Sequence, residues 1–61
     1  MQLSAKEIRD INEGTISEKL LDRTIVYLVD NNIMPYKIVR DRNQNPYEFA
    51  RDWLESKFCV M

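Results

Sequence analysis

Sixty-one residues with nine basic and ten acidic side chains, a formal net charge of −1 and 44% apolar residues describe one small globular domain, residues 1–61. That balance excludes a disordered polyelectrolyte. A single cysteine, Cys59, excludes an internal disulfide, and with no histidine beside it the chain lacks a structural zinc set.

A chain this short buries only about 60% of the surface its unfolded form exposes, so its stability is expected to be marginal. Tight helix packing, self-association or a partner must supply what disulfides and metals cannot. Residues 1–34 carry four positive and six negative charges and residues 35–61 carry five and four, so neither half is a polycation suited to nucleic acid. No segment approaches the roughly 20 apolar residues needed to span a bilayer, and "MQLSAKEIRD" has no apolar signal core. The ending "FCVM" is not a prenylation signal, which requires cysteine fourth from the end where Cys59 is third. A lone thiol without an export signal predicts a reducing cytoplasm.

A helix start signal recurs along the chain. "SAKE" (Ser4 to Glu7), "TISE" (Thr15 to Glu18) and "NPYE" (Asn45 to Glu48) each place a capping side chain three residues before a glutamate. In such a box the first side chain accepts from the backbone N–H at the fourth position. The glutamate reaches back to the cap's own N–H. Three occurrences, each followed by apolar residues at helical spacing, predict a mostly α protein.

The first helix is expected over about 5–12, with Ile8 and Ile11 inward and Leu3 folded over its start. Gly14, the only glycine, stands where a left-handed helix terminus wants one. A second helix is expected over about 16–31. Ile16, Leu20, Leu21, Thr24, Ile25, Tyr27 and Leu28 share one broad face, and Val26 with Val29 breaks the polar side. Its end, "IVYLV", is therefore apolar nearly all round, as a helix buried at the centre would be. The same stretch supports a rival reading. "TIVYLV" is β-branched and aromatic, "DNN" makes a turn and "IMPYKIV" could return, giving an α-β-β-α fold with a hairpin at 24–39. Pro35 in the return strand and the unbroken 3.6-residue pattern from Ile16 to Leu28 favour the helix.

Asn31 and Asn32 suit a left-handed stop, and Pro35 can open a short helix over about 35–42 with Ile38 and Val39 inward. Residues 43–45 then turn into a last helix over about 46–58. There Asn45 caps and Pro46 takes the first position, its fixed φ suiting the helix. Glu48, Arg51, Asp52, Glu55 and Ser56 form one arc. Tyr47, Phe49, Ala50, Trp53, Leu54 and Phe58 form the other. The architecture expected is an all-α bundle of three to four short helices in which the second is the core the others cover.

Catalysis finds no equipment. Without histidine there is no serine–histidine or cysteine–histidine arrangement, and one glycine cannot build a phosphate loop. Glu18 with Asp22 and Glu48 with Asp52 are carboxylate pairs at helical spacing. They could hold a divalent ion, but a solvated helix face is the ordinary account. Cys59 has only Lys57 nearby to lower its pKa and reads as an incidental thiol. The chain is expected to be non-catalytic, without cofactor, metal or small-molecule substrate.

The span "PYKIVRDRNQNPYEFARDWL" has a helix-turn-helix layout, with Lys37, Arg40, Arg42 and Arg51 as a small basic cluster. It departs from the motif at Arg42 and Gln44, where apolar residues belong, and at Asn43, where glycine is common. Three of the four outward residues of the last helix, Glu48, Asp52 and Glu55, would meet phosphate repulsively. Duplex-DNA binding by a dimer is therefore the alternative function, not the first.

The aromatic set is more informative. Tyr27, Tyr36, Tyr47, Phe49, Trp53 and Phe58 can simply form the core. Yet the wide apolar faces, with Cys59, Val60 and Met61 added, exceed what a monomer this small can bury. The function expected is a small cytoplasmic regulator that binds another protein as an inhibitor or adaptor, and self-associates as a homodimer. Tyr36, Tyr47, Phe49, Trp53 and Phe58 would supply the apolar contact, with Lys37, Arg40, Arg42 and Arg51 at the rim. Size alone suggests a phage or bacterial regulatory chain.

Overall fold

The computed structural model describes residues 1–41 and 43–59, so expectations placed on Arg42, Val60 and Met61 lie outside the described residues. Among the described residues four helices follow one another: α1 (Ala5–Glu13), α2 (Glu18–Asp30), α3 (Tyr36–Arg40) and α4 (Pro46–Phe58). The all-α expectation holds. Among the described residues no strand forms at 24–39, where the 3.6-residue pattern prevails over β-branched composition.

The helix boundaries have identifiable chemical causes. Ser4 makes a complete capping box: its hydroxyl accepts the Glu7 N–H at 3.2 Å, and the Glu7 carboxylate accepts the Ser4 N–H at 2.9 Å. Gly14, at φ 77°, closes α1 in a left-handed turn. Its N–H reaches Ile11 O at 3.2 Å and the Thr15 N–H reaches Asp10 O at 2.9 Å.

That closure explains a correction. Thr15 is committed to the end of α1 and does not cap α2. Ser17 does so instead, accepting the Leu20 N–H at 3.2 Å, so α2 begins at Glu18 and not at 16. Ile16 then precedes the cap and packs on the core from outside the helix. At the far end Asn32 adopts φ 58°. Its N–H reaches Val29 O at 3.1 Å while Ile33 N–H reaches Leu28 O at 2.8 Å, the same two-bond termination built on asparagine.

The third helix is shorter than expected, 36–40 in place of 35–42. Pro35 offers no side-chain cap, and Asp41 turns extended. The Asp41 carboxylate accepts the Asn43 N–H at 2.8 Å and its carbonyl accepts the Gln44 N–H at 3.2 Å, so the turn into α4 is built by Asp41. Asn45 then caps α4, accepting from Tyr47 and Glu48 N–H at 3.1 and 3.2 Å, with Pro46 in the first turn.

The core is Ile11 of α1, Leu20, Leu21 and Leu28 of α2, Met34 of the α2–α3 corner, and Ala50 and Leu54 of α4. Each large member contributes about 1.5–3 kcal/mol by leaving water. The organiser differs from the expectation. α4 packs on both α2 and α1, and the second half of α2 is not enclosed: Val26 is 60% exposed. Among the described residues the one fully buried polar side chain is Thr24, which donates its hydroxyl proton to Leu20 O at 2.8 Å.

Candidate protein-binding surface

The nine residues singled out as a contact surface separate into groups. On α4, Phe49, Trp53 and Phe58 are half-buried and pack on the core. Trp53 lies between Tyr27 of α2 and Phe58, with ring centroids 5.8 and 6.0 Å away, the second nearly edge-on. These rings fasten α4 to the rest of the fold. Phe49 and Trp53 also border a shallow hollow with Asp52 and Ser56.

Tyr47, expected on the apolar arc, stands at the surface and donates its hydroxyl proton to Asp22 at 2.7 Å, tying the start of α4 to α2. That hydrogen bond, reinforced by the charge of Asp22, raises the Tyr47 pKa above the usual tyrosine value, since ionisation would forfeit the bond and set two anions together.

Tyr36 of α3 is 61% exposed, with the Arg40 guanidinium 5.9 Å above its ring. Lys37 beside it is exposed, as is Arg51 on α4. Arg42, the fourth rim cation expected, lies outside the described residues.

Sequence reasoning missed the partner of Tyr36. Ile25, Val26, Val29 and Asp30 of α2 line a groove with Tyr36 and Val39 of α3, about 200 Å³ in volume. Val39, expected inward, is 37% exposed on this groove, while Ile38 takes the inward place. A five-residue helix has one side turned to the core, and Ile38 occupies it. Ile33, at the corner joining α2 to α3, is exposed as well. The signal was present in "IVYLV": a helix apolar on every side needs a cover on every side, and α3 is too short to provide one.

On the other flank of Val26, Met1, Gln2, Arg23 and Tyr27 line a second open hollow. Val26 thus stands as a ridge between two depressions. Arg23 is anchored at the edge of this face by an ion pair with Glu7 of α1. The hydrogen bond from Ser4 N–H, followed by the Arg23 charge, holds the Glu7 carboxyl below the ordinary glutamate range.

Among the described residues no group of three histidine, cysteine or carboxylate side chains converges to hold a metal ion, and no buried side-chain polar atom lacks a hydrogen bond. Cys59 is an exposed free thiol. No helix is long and apolar enough to cross a membrane among the described residues. Compared with protein-family models, with curated proteins and with solved structures, the chain matches none of them.

Proposed function

We propose that this chain is a small non-catalytic regulatory protein that works by binding protein surfaces, and that its contact face is the apolar groove between α2 and α3. The observation that supports it is the exposure of Val26, Tyr36 and Val39 around one groove, with Ile33 exposed at the corner that joins its two helices. Large apolar side chains gathered on one face of so small a molecule mark an interaction site. Tyr36 and Arg40 are of the residue types that dominate binding energetics, and Lys37 and Arg40 at the rim favour orientation and speed of association.

The test is capture from nuclease-treated lysate with the tagged chain, compared with Tyr36→Ala and Val26→Ser. The expected result is a protein, a second copy included, held through high salt and lost from both variants while their helical circular dichroism is unchanged. Retention of the same protein by both variants would remove the groove from the account. Recovery only without nuclease, falling steeply with salt, would replace this reading with duplex-DNA binding.

A further inference from the structure

The outer face of α2 carries a pattern that reads the same from either end. Arg23, Val26, Tyr27 and Asp30 fall at i, i+3, i+4 and i+7 and form one stripe along the helix. The order is cation, apolar, apolar, anion. Turning a second α2 end for end about the midpoint of Val26 and Tyr27 brings Arg23 against the other copy's Asp30, twice. It also brings each Val26 against the other copy's Tyr27. We propose that the partner on this part of the face is a second copy of the chain, docked as a two-fold dimer with the two α2 helices antiparallel.

Three observations point to this occupant. A two-fold interface must be complementary to itself, and here the ridge of Val26 stands beside the hollow that Tyr27, Arg23, Gln2 and Met1 line, so each copy offers the knob the other's hollow receives. The Asp30 carboxylate has no hydrogen-bond or ion-pair partner among the described residues, and Arg23 spends one guanidinium nitrogen on Glu7 and keeps donors for a second carboxylate. The groove on the far flank, with Ile25, Val29, Tyr36 and Val39, extends the apolar contact on the same side of α2. A stable dimer buries about 800 Å² from each partner, roughly a sixth of the 4659 Å² this chain exposes, so the contact must reach beyond the α2 stripe onto the elements flanking it.

The first test is sedimentation equilibrium of the full chain up to about 1 mM, the range in which weak association is still read. The expected mass is twice 7.3 kDa. Val26→Asp sediments as a monomer with its helical circular dichroism intact, since Val26 is exposed in the single chain. Asp30→Arg weakens the dimer about tenfold by turning both ion pairs into repulsions, and Arg23→Asp combined with Asp30→Arg restores it, because the swapped charges meet across the two-fold axis. Failure of the double variant to recover, read in a Glu7→Gln background so that the loss of the Arg23–Glu7 pair does not enter, overturns the antiparallel register. A dimer indifferent to Val26→Asp overturns the assignment to this face.

The inference rests on reading this face as a protein-binding surface, so a second measurement separates the two. Tyr36→p-benzoylphenylalanine in the full chain, irradiated in cells, is expected to give an adduct of two copies that the Asp30→Arg change reduces. An adduct with a different protein only, from a chain that sediments as a monomer, overturns the dimer and leaves the binding reading standing. A monomer that yields no adduct overturns both.

Discussion

Thr24 is the residue at which polarity and burial meet. Its side chain is fully enclosed, and its hydroxyl is satisfied by Leu20 O one turn back, which already receives the helix's own bond. The hydroxyl therefore adds little that a methyl would not, while the β-branched shape fills its space. Thr24→Val is expected to stay within about 1 kcal/mol of the parent chain, because donor and desolvation cost are removed together. Thr24→Ser keeps the hydroxyl and opens a methyl-sized void, costing about 1 kcal/mol. Urea unfolding of the two variants checks the order: a Val variant less stable than the Ser variant would show that the hydroxyl, not the methyl, matters here. Nothing in the sequence separated Thr24 from the apolar residues of its face, and burial alone reveals the pairing.

At the scale of elements, α1 is held by charge as well as by packing. Glu7 closes the Ser4 capping box and meets Arg23 of α2, and both partners favour its ionised form. A carboxyl whose pKa is lower folded than unfolded contributes stability that is fully present above its unfolded value and is lost as pH falls through the folded one. Acidifying from pH 6 to about pH 3 is therefore expected to cost the parent chain more than Glu7→Gln, by at most about 1 kcal/mol for an exposed pair. Unfolding midpoints at several pH values read this directly, and parallel curves for both proteins would refute it. The cap at Ser4 was legible because serine, glutamate and glycine stand at fixed offsets that local hydrogen bonding dictates. The start of α2 was not, because Thr15 and Ser17 are both competent caps. The choice between them is made by the turn closing α1, which claims the Thr15 N–H. The short α3 was illegible for a similar reason: Asp41 forms its own turn and ends the helix at Arg40.

For the whole molecule, the aromatic residues divide between holding the fold and facing outward, and that division was not visible in the sequence. A helical wheel puts Tyr47, Phe49, Trp53 and Phe58 on one arc but does not say which other helix lies across it. α4 packs on both α1 and α2, so Trp53 is taken up between Tyr27 and Phe58, whereas Tyr36 rides on a helix with no buried residue. The two should answer mutation differently. Trp53→Ala is expected to cost about 3 kcal/mol, a large part of the roughly 5 kcal/mol at the lower end of what a domain possesses, so the chain would be partly unfolded at 37 °C. Tyr36→Ala changes stability by about 0.5 kcal/mol or less, as exposed positions do, while abolishing contact at the α2–α3 groove. Thermal unfolding followed by circular dichroism, set beside binding measured well below each midpoint, distinguishes the roles. Equal destabilisation by the two changes would mean that Tyr36 is held by the fold after all, and that the surface for partners lies elsewhere.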